Sequence, residues 1–199
     1  MLKSTHSRPT SDPPPILLRA DKFVPLWTLE KAEPDRGPVQ VSTMRYINKI
    51  IIHCTANRTP CRLTLLDFKR IALEAGHCNY SYHYYVFEDG TVKEGQAISQ
   101  PGTHCKGHNK TSIGVVYVGG LDADGRPCDT RTPQQKQALL QLVTKLILMY
   151  RCDVWGHRDL SPDKNRDGRI TPDEYVKQCP CFNAHQEYHS IYKQVVLGG

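Results

Sequence analysis

Between Gly156 and Phe182 the chain crowds together three kinds of chemistry. His157 and Cys179 carry borderline-soft donors of the kind zinc prefers. Lys177 stands two residues before that cysteine, where its charge can act on whatever a metal polarises. Between them, residues 163–174 match a calcium loop position by position. Asp163, Asn165 and Asp167 fall at loop positions 1, 3 and 5, Gly168 at the sharp turn, and Arg169 at the position that offers a carbonyl. Ile170 is the anchor and Glu174 closes the loop at position 12. The helix that normally enters such a loop is missing, because Leu160-Ser161-Pro162 breaks any helix there. An ion in the loop would fix where Lys177 and Cys179 emerge and lower the entropy cost of assembling the site.

These groups need a partner from upstream, and His53 is the candidate. Lys49–Cys54 reads as a buried strand with Ile51 and His53 on one face and Ile50, Ile52 and Cys54 on the other. A strand-end histidine taken alone is more often a packed core residue than a ligand. The combination changes the reading, since Asp153-Val154-Trp155 is a second short strand that delivers His157. Two imidazoles and one thiolate leave a fourth tetrahedral position for water, which separates catalytic zinc sites from closed structural ones. Cys181 is an alternative sulfur to Cys179. The other six cysteines read as buried or bystander thiols, and with no C-x-x-C pair a zinc ribbon or thioredoxin-like site is not expected.

The elements that must position these residues follow from pattern. Thr64 and Asp67 open a helix carrying Leu66, Phe68, Ile71 and Ala72, ended by Gly76. Residues 82–95 form a hairpin with Asp89-Gly90 as a two-residue turn. A polar loop with His104 and Asn109 leads into a buried strand over 112–118. Thr132-Pro133-Gln134-Gln135 starts a helix whose Leu139, Leu142, Val143, Leu146, Ile147 and Tyr150 share a face. A last helix aligns Ala184, Tyr188, Ile191, Tyr192 and Val195. Strands and helices interleave without strict alternation, which predicts an α/β domain with a central mixed sheet flanked by helices and the metal site at the strand ends. That domain is expected over 44–199, after an extended arm over 1–43 that holds seven of the fourteen prolines and packs Phe23, Leu26 and Trp27 on its surface.

Composition narrows the partners. A net charge of +6 suits an anionic surface such as a cell wall, but no basic stripe of the nucleic-acid kind is present. No apolar run reaches the length of a membrane span. No secretory signal is read at the N-terminus, so the chain is expected to be made in the cytoplasm with reduced thiols. His157-Arg158-Asp159-Leu160 copies the opening of a kinase catalytic loop, yet the required asparagine is Lys164 and no Gly-rich loop precedes it.

Five segments together resemble one family. His53-Cys54-Thr55-Ala56, Ser81-Tyr82-His83, Asn109–Val115, Gly156-His157-Arg158-Asp159 and Lys177-Gln178-Cys179-Pro180 are similar to the zinc-dependent N-acetylmuramoyl-L-alanine amidases, which include phage lysozymes and animal peptidoglycan recognition proteins. The resemblance covers about residues 46–190. It implies zinc on His53, His157 and Cys179, with the ligand before the proline and so not Cys181. It implies hydrolysis of the amide between muramic acid and L-alanine, Lys177 stabilising the oxyanion and Tyr82 orienting water or shuttling a proton. His104 and Asn109 become candidates for substrate contact. The expected partner is peptidoglycan, met by a monomer after release or non-classical export. The rival class is a non-catalytic peptidoglycan-binding module, against which Cys179 speaks. A calcium-regulated adaptor would rest on residues 163–174 alone.

Overall fold

The computed structural model describes residues 45–198. The expected arm over 1–43 lies outside them. Seven strands and three helices follow in order: β1 (Lys49–Cys54), β2 (Asn57–Arg58), α1 (Leu65–Glu74), β3 (Tyr84–Val86), β4 (Val92–Glu94), β5 (Ser112–Tyr117), β6 (Gly120–Leu121), α2 (Pro133–Tyr150), β7 (Asp153–Gly156) and α3 (Ala184–Tyr192). The main sheet runs β4-β3-β5-β1-β7, and β2 pairs with β6 in a small second ladder. Within the main sheet β1, β3, β5 and β7 are parallel and β4 alone is antiparallel. This is the mixed sheet flanked by helices that the patterning predicts.

Parallel strands covered on both faces must be apolar throughout, and β1 and β5 are buried nearly end to end. On one face Ile50, Ile52, Val115, Tyr117 and Val154 meet Leu139, Val143, Leu146 and Ile147 of α2 and Ala184 and Tyr188 of α3. Each large apolar side chain buried there contributes ~1.5–3 kcal/mol. On the other face Phe68 of α1 packs with Tyr85, Val116 and Val118. Both N-terminal signals hold: Thr64 with Asp67 and Thr132 with Gln135 each form a reciprocal capping box. Gln135 does more than cap. Fully buried, its Nε2 donates to the carbonyls of Val86 and Val118 and so ties α2 to the ends of β3 and β5. No described helix is long and apolar enough to cross a membrane.

Two local expectations are corrected. The hairpin loop has three residues and not two: the Phe87 amide donates to Thr91 O, the Gly90 amide donates to Phe87 O, and Gly90 takes φ +85. That is a type I turn closed by a left-handed glycine, the other common hairpin solution. On α1 only Phe68 and Ala72 are buried, while Leu66 is 72% and Ile71 43% exposed. Ile71 lines a cavity described below; nothing in the structure explains Leu66.

The parallel register determines where the site sits. Ile52 stands opposite Gly156, so His53 and His157, one residue further along each strand, emerge side by side at the carboxyl ends of β1 and β7. In open parallel sheets that end is where ligands bind.

Candidate metal centre

Cys179 reaches the two histidines through a return of the chain. The Arg158 amide donates to the Cys179 carbonyl (2.8 Å), and the Val176 amide donates to Ser161 Oγ (3.1 Å). These two bonds close the neck of the 161–176 segment and bring the cysteine back beside the end of β7. Donor atoms of His53, His157 and Cys179 all lie within 4.8 Å of one another. The His53 and His157 rings are 4.7 Å apart between centroids, and His53 Nδ1 is 3.8 Å from Cys179 Sγ. The Cys54 backbone N–H donates to that sulfur at 3.2 Å. Cys181 points elsewhere, its thiol donating to Gly120 O and lying 3.8 Å from Cys54 Sγ.

The protonation of His53 can be traced through its neighbours. His53 Nε2 lies 3.0 Å from His104 Nδ1, and His104 Nε2 lies 3.4 Å from Ser112 Oγ. Ser112 uses its own hydroxyl proton toward the His108 carbonyl at 2.8 Å. Its oxygen is therefore an acceptor for His104 Nε2–H, which leaves His104 Nδ1 bare to accept from His53 Nε2–H. The Nδ1 lone pair of His53 then faces Cys179. Both rings are held neutral, which this chain of bonds needs. Burial, then the neighbouring His104, His157 and Lys177, keeps His53 well below the usual histidine range, and burial, then His83, pulls His104 down to about 3. A ligating imidazole whose other nitrogen is engaged has one tautomer and one orientation. Glycine makes room for this: a Cβ on Gly114 would stand 2.6 Å from the His104 ring.

Replacing Ser112 by alanine removes the polarity of the chain and is expected to weaken zinc binding by ~10–100-fold, the scale of losing an outer-shell partner. Competition with a chromophoric chelator reads the affinity, and imidazole 15N shifts report which His53 nitrogen carries the proton. An unchanged tautomer would show that Ser112 does not set it.

Tyr82 sits against His53, with ring centroids 5.0 Å apart. Burial, with Cys179 next in effect, holds its phenol well above the usual range, so it stays a donor at neutral pH. Lys177 is exposed, and its charge acts on His53. Beside Tyr82 opens a cavity of about 300 Å³ lined by Thr55, Asn57, Phe68, Ile71 and Tyr85 among others. Sequence reading missed this wall of α1; an apolar residue on a helix face with no strand to cover it is the signal. His104 is only 7% exposed and faces His53, and Asn109 Oδ1 accepts from the amides of His104 and Cys105, so both residues hold the loop together.

The 163–174 loop closes on itself. Glu174, expected as the closing calcium ligand, is buried with Oε1 accepting from the amides of Lys164 and Asn165 and Oε2 from the amide and hydroxyl of Thr171. Asp163 accepts from the amides of Arg166 and Gly168. Among the described residues, Asp163, Asp167 and Glu174 do not converge as a group of donors. Asn165 and Asp167 bond to each other, and the Arg169 amide donates to Asp167.

With this geometry in hand, the chain can be set beside known proteins. The family model described as N-acetylmuramoyl-L-alanine amidase matches residues 43–180, and the chain belongs to that family. An endolysin of Klebsiella phage KP32 is 33% identical over 146 residues, covering 73% of this chain and 87% of its own. An uncharacterised protein of Haemophilus influenzae is 45% identical over 96 residues, 48% of this chain and 83% of its own. Among solved structures, the N-acetylmuramoyl-L-alanine amidase LysC from Clostridium intestinale superposes with a TM-score of 0.57 at 23% identity, covering 76% of this chain and 87% of its own, a likeness of fold.

Proposed function

We propose that the chain is a cell-wall amidase, hydrolysing the amide between the lactyl group of N-acetylmuramic acid and L-alanine in peptidoglycan, with zinc held by His53, His157 and Cys179. The observation that carries this reading is the convergence of two imidazoles and one thiol at the carboxyl ends of β1 and β7. The donor set suits the ion: two imidazole nitrogens and a sulfur already approached by a backbone N–H. Bound there, zinc would supply Lewis-acid polarisation and an acidified water. The remaining roles belong to the chain. Lys177 brings a positive charge to the rim, where the amide oxygen gains negative charge as the carbonyl is attacked. Tyr82 keeps its proton and donates a hydrogen bond that orients the attacking water. The cavity walled by Phe68 and Ile71 lies next to Tyr82 and can take the stem peptide. All these groups come from one chain, so a monomer suffices. The endolysin relative supports action on the wall after release from the cell.

Digestion of purified peptidoglycan followed by mass spectrometry tests the reading. Free L-alanine amines on intact stem peptides are expected, abolished by a zinc chelator and restored by zinc. New reducing sugar ends would identify a glycosidase instead. Tight binding with no cleavage would favour the binding-module reading.

A further inference from the structure

A second group of donors lies away from this centre. Helix α3 places His185 and His189 one turn apart on the same face, the spacing at which two imidazoles can share one ion. Facing them is Asp153, the first residue of β7. Asp153 Oδ2 lies 2.9 Å from His189 Nδ1 and 3.8 Å from His185 Nδ1, and the donor atoms of all three residues fall within 4.8 Å of one another. Two ligands of a tetrahedral zinc, each ~2.0–2.1 Å from the ion, stand ~3.3 Å apart, a value these two distances bracket.

The rings are also held in place. His185 stacks on Trp155 (centroids 4.3 Å apart, planes 15° apart), and His189 stacks on Tyr192 at 5.9 Å. His185 Nδ1 is 2.9 Å from the Val154 carbonyl, which faces outward because β7 is an edge strand. The other carboxylate oxygen, Asp153 Oδ1, accepts from the Val154 amide, so the acid is oriented as well. All three side chains are partly exposed, at 32%, 31% and 17%, so a solute can reach them. The place is distinct from the first centre. Asp153 begins the strand that His157 follows, about 13 Å away at the rise of a β-strand.

We infer that Asp153, His185 and His189 form a second site for a divalent transition metal, a staple that fastens α3 to the edge strand delivering His157. Two nitrogens and one carboxylate oxygen suit zinc, nickel or copper, and not calcium or magnesium. Binding through Nδ1 replaces the His189–Asp153 and His185–Val154 contacts, and each ring then carries its proton on Nε2. That carbonyl and water remain to complete the shell.

The inference is independent of the amidase reading, and the test separates them. The full chain, stripped of metal, is titrated with cobalt(II) and then with zinc. Two ions per chain are expected, of which one gives the sulfur-to-cobalt charge-transfer band. His189→Gln and Asp153→Asn should each bind one ion and keep that band; Cys179→Ser should bind one ion and lose it. A Trp27→Phe chain with zinc already in the first centre provides a check that needs no ligand substitution. Nickel(II) should quench Trp155 fluorescence at one equivalent, through the ring stacked on His185. One ion per native chain that gives the band, an unchanged count in His189→Gln, or quenching only at large nickel excess would each overturn the second site and leave Asp153 and His189 a hydrogen-bonded pair alone. Loss of the cobalt band from the native chain, with the Trp155 quench retained, would instead sink the first centre.

Discussion

Cys179→Ala is expected to lose metal and activity together, while Cys181→Ala keeps both. The two sulfurs stand two residues apart, but only Cys179 faces His53 Nδ1 and receives the Cys54 amide. Cys181 is turned toward Gly120 and Cys54 by a left-handed backbone, φ +68. Closed zinc sites bind with ~10–16 kcal/mol through four ligands, so an even quarter of that, removed with one ligand, weakens the metal by about 10²- to 10³-fold. Zinc content after dialysis and release of L-alanine amines measure the two effects. Full zinc in Cys179→Ala, with loss in Cys181→Ala, would reverse the assignment.

Lys177→Ala should separate the two properties. Its side chain is exposed, and its charge acts on His53 without any bond that builds the donor set. Zinc affinity should stay close to that of the native chain or rise slightly, since a charge that repels a cation has gone. Turnover should fall by ~10²–10³-fold, the scale of removing one oxyanion-stabilising group. The loss should appear in kcat more than in KM, because the charge is needed as the carbonyl oxygen becomes negative. Lys177→Arg would return part of the rate if charge at the rim is what matters. A Lys177→Ala chain with native turnover would remove the residue from the chemistry.

Much of the fold was legible because its signals are local. The two capping boxes, the apolar strands and the faces of α2 and α3 depend on residues a few positions apart. His53 and His157 were legible for a related reason: one stands near the end of a strand run and the other directly after one, and parallel pairing brings such ends together. Cys179 was harder. Its return depends on the Arg158–Cys179 and Ser161–Val176 bonds across a segment without regular structure, and only the family resemblance chose it over Cys181. His104 was read as a candidate substrate contact; its link to His53 could not be read, since the direction of a hydrogen-bond chain rests on where Ser112 sends its proton. Glu174 was read as a ligand because its spacing is right. Spacing does not reveal that the loop's own amides already fill both of its oxygens. The His185–His189 spacing lay in plain view, but its third member is 32 residues earlier in the chain.

The closed neck of the 161–176 segment gives the protein engineer a place to work. Because Ser161 meets Val176 and Arg158 meets Cys179 at the base, what lies beyond them does not set the separation of His157 and Cys179. Gly168 stands near the tip in a left-handed conformation, with nothing within 4 Å of where a side chain would begin. Extra residues there lengthen a loop that is already shut, at an entropic cost growing only with the logarithm of its length. A fluorophore, an affinity peptide or a wall-targeting module could be grafted at this point, extending the reach of the protein without redesigning the pocket it serves.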